Sequence, residues 1–415
     1  MVALAVLFLI NVLNFYDRQA LGAIVEPLHR EFHLTDTQFG ALSTVFTVVY
    51  GLAGLPLGRL ADTSSRRRLL AAGITVWAGL TGLGGLASSY AMLLATRLGV
   101  GIGEAVCAPA ATSWIGDAVP AERRTRALAI FMMAVPVGGL LSFSIGGPVS
   151  QAYNWRVALA LAALPSIVLV PAVLWLNEPK RAAAGLADAA SSAALMRIPA
   201  FWWIAASGAI VNFALYSFSS FFLAFLTRFH HLSGARAGVW AGVGSGAAGI
   251  LGALAAGAMG DRVHGNLGRA RMRIAAAASL LAAPAALVAI AAPAGAIAVA
   301  IPAMMVAYGL LQMYYGLVYA AMQDVVPANL RGAAMGGYFV VQYLGGAAWG
   351  PLVTGRLSDH FARTAANAGM TADAARAVGL HQAMYVIPAF ALALAAVLWT
   401  GARSIASKRG GAGLV

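Results

Sequence analysis

Long apolar runs, each closed by a short polar cluster, recur along the whole chain. A helix needs about 20 apolar residues to cross the hydrocarbon core of a bilayer. By that measure the pattern predicts twelve membrane spans, near 2–26, 38–58, 69–88, 91–115, 126–150, 156–176, 201–226, 236–258, 274–292, 295–321, 333–356 and 381–402. The stretch 177–200 is predicted as a long loop between the sixth and seventh spans, and 357–380 as a second loop before the last span. The expected class is an all-α membrane protein of two six-helix bundles. Residues 1–176 form the first, 177–200 a cytoplasmic linker, and 201–415 the second with a cytoplasmic tail. The opening run MVALAVLFLINVLNFYDRQALGAIV has no basic start and no small-residue cleavage site. It reads as a retained first span rather than a signal peptide.

Composition agrees with this. Of the 415 residues, 61% are hydrophobic and 10% charged, against about 25% charged in an average soluble domain. The net charge of +13 does not point to nucleic acid, because the basic residues sit in short clusters between spans, such as RRRLL at 66–70 and ERRTR at 122–126. With both termini in the cytoplasm, 18 of the 27 Lys and Arg fall on the cytoplasmic side and seven on the other. That bias follows the positive-inside rule and suits a bacterial inner (plasma) membrane. Two arginines, Arg18 and Arg97, remain inside the membrane. One cysteine, Cys107, excludes an internal disulfide.

The halves repeat. Asp117-Ala-Val-Pro120 returns as Asp324-Val-Val-Pro327, and Gly58-x-x-x-Asp62 as Gly257-x-x-x-Asp261. His33-Leu-Thr with Gly40 returns as His231-Leu-Ser with Gly238, Asn14-Phe15 as Asn212-Phe213, and Gly147-Pro148 as Gly350-Pro351. Repeated bundles of this kind enclose a site at their interface near the bilayer midplane.

With these repeats and motifs the chain resembles the major facilitator superfamily over essentially its whole length. The loop Gly58-Arg-Leu-Ala-Asp62-Thr-Ser-Ser-Arg66-Arg67 is similar to the superfamily signature between the second and third helices, with Thr63 and Ser65 departing from it. NFYDR at 14–18, RLGVGIGEA at 97–105 and AVPVGG at 134–139 resemble the spinster group, and the Asp-Arg pair also resembles the organic-anion symporters. The resemblance implies a secondary transporter working by alternating access. It also implies that helix one lies beside helix four.

Arg97 and Glu104 lie seven residues apart, about two helical turns, and so share one face. Each costs on the order of 2.5–3.5 kcal/mol to insert at a helix centre, so their presence asks for a function. With the implied neighbourhood, Asp17, Arg18, Asn14 and Asn11 join them. One reading is a proton-coupling site at Asp17 and Glu104, since burial and a nearby cation act oppositely on a carboxyl group's hold on its proton. The other is a structural ion pair. Arg97 is expected to bind substrate or pair with a carboxylate, Asp17 with Arg97 balancing charge and Glu104 being the extra acid, and Arg18 to bind substrate, pair with Asp17 or snorkel.

The second half has no charged residue at a helix centre. Tyr308, Gln312, Tyr315 and Tyr319 share a face of helix ten. Helix eleven offers Tyr338, Gln342 and Trp349, and helix seven Asn212, Tyr216 and Ser220. A cavity charged on one side and aromatic on the other suits a small or amphiphilic anionic solute, although aromatic packing alone would leave the same pattern. Asp62, with Arg66 and Arg67 beside it and Asp261 as counterpart, is read as an acid that caps a helix start and pairs across the two halves to hold a cytoplasmic gate closed; otherwise the arginines only anchor topology.

His29-Arg-Glu31-Phe-His33 misplaces the glutamate of a zinc helix and reads as a solvated helix end. Gly244-Ser-Gly246-Ala-Ala-Gly249 has no strand before it and reads as helix packing. No phosphate-cradling Gly-Lys-Ser/Thr motif occurs, and seven histidines with one cysteine form no catalytic set. An enzyme, a cofactor, a metal site and a nucleic-acid partner are therefore not expected. The expected partners are a small or lipid-like solute, protons and the bilayer, for a monomer. A channel or a sensor on the same scaffold is the alternative of a different class. Sodium in place of protons, and the direction of transport, stay open.

Overall fold

In hydrocarbon no water can satisfy backbone N–H and C=O groups, so a spanning chain must close its hydrogen bonds within helices or a barrel. The computed structural model describes residues 2–179, 195, 197–263, 266–327 and 330–405, and the side chains of all of these except 62, 121, 122, 124, 125, 332 and 333. Most of the expected linker, and the side chain of the expected gate residue Asp62, therefore lie outside the described residues. Among those described there is no strand. Ten helices are long and apolar enough to cross a membrane: Val2–Ala23, Asp36–Ala61, Tyr90–Ala118, Arg126–Ala152, Trp155–Trp175, Pro199–Arg228, Gly234–Asp261, Leu267–Ala291, Ile297–Val325 and Ala372–Ser404. Two further crossings complete twelve spans in two six-helix bundles. Arg66–Gly84 is the third span, whose three leading arginines lower its hydropathy. The eleventh runs from Arg331 to Gln342, through a π-helical turn at Tyr343–Ala347, and on from Trp349 to Asn367.

The polar clusters between spans supply caps. Thr35, Ser65, Ser89, Asn154, Ser233 and Asn266 each accept a hydrogen bond from a backbone N–H in the first turn of the next helix. Thr35 and Gln38 complete a capping box. The repeat holds at the level of backbone angles. His33 and His231 are the two non-glycine residues with positive φ among those described, at 50° and 56°, and each turns the chain into the next capped span.

Two boundaries differ from the sequence expectation. The first span ends at Ala23 and is followed by a separate helix, Val25–Phe32. The expected loop 357–380 is largely helix, because the eleventh span continues to Asn367 and the twelfth begins at Ala372. Arg356, Asp359, His360 and Arg363 depress the hydropathy there. A helix that projects beyond the bilayer keeps its hydrogen bonds whatever its polarity, so hydropathy marks the membrane edge and not the helix end.

The halves meet through a crossed use of the repeat. A Cβ on Gly40 would strike the Pro351 backbone, and one on Gly238 would come within 3.0 Å of Gly147 and 3.2 Å of Pro148. The second span thus lies against the eleventh and the eighth against the fifth, each through a repeated glycine on a repeated Gly-Pro. Gly242 on Ser144 and Gly246 on Leu140 extend the eighth–fifth seam, and Thr44 Oγ1 donates to the Ala348 carbonyl at 2.5 Å along the other. Further along, Gly54 and Gly257 meet nothing within 4 Å, and Gly58 meets only Pro109 of its own bundle. Among the described residues the halves are therefore joined at one end, and at these three glycines towards the arginine-rich end they do not touch.

At that arginine-rich end Arg66 is fully buried. It pairs with Asp117, and its Nε donates to Glu178 at 3.1 Å. Glu178 also accepts from the Ser65 hydroxyl at 2.7 Å and the Arg66 backbone N–H at 2.9 Å, so it sits on the N-terminus of the third span. Arg67 Nη1 reaches the Leu176 carbonyl at 3.3 Å. These partners come from the first bundle and from the segment directly after it, and none is on the second bundle. Arg271 with Asp324, at 2.7 Å, repeats the Arg66–Asp117 pair in the second bundle, and Asp261 is exposed.

Burial pushes the Glu178 carboxyl up, but the Ser65 hydroxyl, the Arg66 backbone N–H and the Arg66 guanidinium together bring it down to about 2. A carboxyl held below its unfolded value, about 4.3, stabilises the fold above that pH and loses the contribution as pH falls towards 2. Glu178→Gln is expected to lower the melting temperature in detergent by several degrees at pH 7. The gap from wild type should shrink as the pH is taken below 4.3. A constant gap at every pH would mean that packing, not charge, is what Glu178 supplies.

Candidate functional site

The first bundle buries four ionisable side chains at mid-span. The first span and the Tyr90–Glu104 segment of the fourth bring them together, and the fourth span breaks just afterwards at Ala105–Val106. Glycines seat the fourth span against the second and third: a Cβ on Gly101 would lie 2.8 Å from the Phe46 carbonyl, and one on Gly103 2.8 Å from the Trp77 nitrogen. The acids and bases sort into two pairs. Arg18 Nε donates to Glu104 Oε2 at 2.8 Å. Arg97 Nη1 lies 3.9 Å from Asp17 Oδ1, and Thr81 bridges them by donating to Asp17 Oδ2 at 2.5 Å and accepting from Arg97 Nη2 at 3.3 Å. Four charges in low dielectric thus cancel in twos, which is the condition for keeping them there.

The pairs face different surroundings. Arg97 is enclosed by the third span within the first bundle. Arg18 points towards the seam between bundles, with its guanidinium carbon 4.1 Å from the Tyr50 ring centre, 4.7 Å from Phe15 and 5.8 Å from Phe46. Tyr216 and Tyr343 of the second bundle lie close enough to interact with it electrostatically. Tyr343 stands at the start of the π-helical turn, its ring 5.0 Å from Tyr50 and 6.4 Å from Tyr216. Arg18 Nη1, Glu104 Oε1 and the amide nitrogen of Asn14 are buried with no hydrogen-bond partner.

In the second bundle the tenth-span stripe forms as one row. Tyr315 donates to Asn212 Oδ1 at 3.0 Å, Tyr319 to Gln342 Oε1 at 3.3 Å, and Gln312 Nε2 to the Tyr308 hydroxyl at 2.8 Å. Tyr308, Gln312, Tyr315 and Tyr319 remain partly accessible, whereas Asn212 and Gln342 are buried behind them. Tyr338 is not in the row. It is fully buried and donates to Tyr314, which bonds Ser207. Trp349 is half exposed and bonds the Leu344 carbonyl of its own helix.

Sequence reasoning missed two groups. Phe15, Phe46, Tyr50 and Tyr343 form the aromatic surround of Arg18; the four-residue spacing of Phe46 and Tyr50 on a helix ending at the gate motif was the available signal. The second group closes the end opposite the arginine-rich face. Arg228, at the end of the seventh span, donates to both Asp36 oxygens at 2.9 Å and to Glu26 at 2.6 Å. Ser358 of the eleventh span donates to Asp36 at 2.6 Å, and Asp359 accepts from the backbone N–H of Asp36 and of Thr37, each at 2.9 Å. His29 Nδ1 lies 2.5 Å from the Leu34 carbonyl and Nε2 2.8 Å from Asp36. The segment read as a solvated helix end is therefore buried at His29, because Asp36 draws it inward. Asp36, Asp359 and Arg228 carry no local motif that marks them out in the sequence.

Known proteins resemble the chain at three levels. The model of the Major Facilitator Superfamily matches residues 7–351. An MFS-type efflux pump of Mycolicibacterium smegmatis is 32% identical over 363 residues, covering 86% of this chain and 84% of that protein. Protein spinster of Drosophila melanogaster is 32% identical over 177 residues, 42% of this chain and 29% of the fly protein. A bacterial homologue of the human lysosomal transporter Spinster, solved inward-facing and occupied, superposes with a TM-score of 0.84 at 25% identity, covering 97% of this chain and 96% of that one.

Breaking one partner of a buried ion pair costs about 3–5 kcal/mol. Arg228→Gln should therefore shift the balance between closed and parted states at this end by more than tenfold. Spin labels at Tyr153 and Arg236, on the tips of the fifth and eighth spans, would report it as a new long-distance population. An unchanged distance distribution would show that the glycine seams alone hold this end shut.

Proposed function

The chain belongs to the Major Facilitator Superfamily, and from that premise we propose that it is a proton-coupled secondary transporter of an amphiphilic or small organic anion. The membrane it serves is the bacterial inner membrane, with both termini and the arginine-rich face in the cytoplasm. It works as a monomer. The observation that carries this reading is the placement of Arg18. Its guanidinium is neutralised by Glu104 on one side and boxed by Phe15, Phe46 and Tyr50 on the other, with Nη1 left without a partner. Arginine offers a planar fork that suits a carboxylate or phosphate. The tyrosine row of the tenth span supplies a polarised aromatic wall for the rest of the solute.

In this reading Arg18, not Arg97, is the anion anchor. Arg97 and Thr81 hold Asp17, and Glu104 is released from Arg18 when an anion competes for the guanidinium. A carboxylate that loses its cation in a dry site takes up a proton more readily. Anion arrival and proton loading are thereby linked through one arginine. The resemblance to an efflux pump over 86% of this chain supports export, and the fit to the inward-facing Spinster homologue supports a cleft loaded from the cytoplasm.

Asp17→Asn and Glu104→Gln are each expected to reduce pH-gradient-driven transport in proteoliposomes below about a tenth of wild type, while exchange at equal pH survives. Wild-type accumulation by both variants would remove the coupling role.

Arg18→Lys should weaken an anionic ligand by about tenfold or more, since a point charge does not reproduce the fork. Arg97→Lys should leave affinity within about threefold, a difference below 1 kcal/mol, and impair coupling. The comparison to run is binding of a matched pair of ligands, with and without the acidic group, to wild type and both variants. Equal affinity for the neutral analogue in wild type would remove the anion from the proposal.

A further inference from the structure

Two helices of the second bundle carry lipid-facing stripes that end in arginine at the arginine-rich face. On the ninth span Arg273, Leu280 and Leu287 recur every seven residues, so they share a face. All three are exposed, the leucines at 55% and 47%. On the twelfth span Leu392, Trp399 and Arg403, at spacings of seven and four, share an exposed face with the chain running the other way. The stripes converge at Trp399. The Arg273 guanidinium carbon lies 5.5 Å from its ring centre and that of Arg403 5.9 Å. Neither guanidinium has a carboxylate partner among the described residues. The solute cleft lies elsewhere, between the bundles.

Two cations at one indole, at the level where a helix leaves the hydrocarbon, is an arrangement with unbalanced charge. Arginines that only snorkelled would separate, because their charges repel. Here both are drawn to one indole ring at the head of two apolar tracks. We propose that this is a binding site for a single anionic phospholipid, its phosphodiester between Arg273 and Arg403 and its acyl chains along Leu280, Leu287 and Leu392. Trp399 sets the depth, as tryptophans do at membrane interfaces. Arginine pairs recognise phosphate oxygens by forked hydrogen bonds, and basic sites beside helices on the cytoplasmic side select anionic headgroups. The site stands on the outer surface of the second bundle and does not depend on what the cleft carries.

The test is native mass spectrometry of the full chain released from detergent with equal phosphatidylglycerol and phosphatidylcholine. One phosphatidylglycerol adduct should be retained at least threefold over phosphatidylcholine. Arg273→Gln with Arg403→Gln should bring that ratio to about one, while Arg236→Gln, on the opposite face, should leave it unchanged. Thermal melting supplies a readout on the unaltered chain: phosphatidylglycerol should raise the midpoint and soluble glycerol 3-phosphate should not. Equal retention of the two lipids by wild type would overturn the proposal, as would a double variant that keeps the preference. Displacement of the lipid by glycerol 3-phosphate would also overturn it, since the site would then read a free phosphate.

Discussion

Hydrocarbon supplies no hydrogen bonds and almost no charge screening, and the architecture obeys that constraint. Backbone groups must be satisfied locally, which makes every crossing a helix. Side-chain charges must be cancelled by neighbours, which is why the two arginines inside the first bundle each sit with an acid. Helix association cannot draw on water exclusion here, so contact area has to come from backbones brought close. The glycines of the second, fifth, eighth and eleventh spans are the means: at Gly40, Gly238 and Gly242 a single methyl group would strike the partner helix.

The two bundles divide the chemistry. The first holds the charge, in pairs that differ in what surrounds them. Asp17 and Arg97 share Thr81 and are shut in, whereas Arg18 and Glu104 border the seam. The second holds a tyrosine row whose hydroxyls are anchored by Asn212 and Gln342. Tyr343, displaced by the π-helical turn, carries aromatic surface from the second bundle to Arg18 in the first. π turns are often found at functional sites because they rotate the remainder of the helix and leave backbone groups free.

The closed end shows how a repeat becomes a machine. Each half presents a glycine after a capped helix start and a Gly-Pro on another span, and each glycine docks on the other half's Gly-Pro. Over this symmetric frame lies an asymmetric lock: Asp36 gathers Arg228 and Ser358 from the second bundle. The arginine-rich end has strong pairs as well, but Arg66 with Asp117 and Arg271 with Asp324 fasten each bundle to itself. Ties between bundles at one end and ties within bundles at the other leave the halves free to part on the arginine-rich side.

Twelve crossings, the internal repeat, the family resemblance and the presence of costly charges at positions 17, 18, 97 and 104 were all readable from the sequence. These are properties of composition and period, and a bilayer enforces them one helix at a time. Helical spacing likewise placed Tyr308, Gln312, Tyr315 and Tyr319 on one face. Pairing was readable only in part. Asp17 with Arg97 was expected as a charge balance and does form, but Glu104, expected as the extra acid, meets Arg18, which depends on how the first span is turned against the fourth and is recorded in no local pattern. The same holds for Asp36 with Arg228, 192 residues apart, and for Arg66, whose partners are Asp117 and Glu178. Helix ends beyond the membrane were also hidden, because hydropathy reports lipid contact while helix termination depends on caps. Sequence determines which groups cannot be left alone in hydrocarbon; only the packed helices decide which neighbour answers each one.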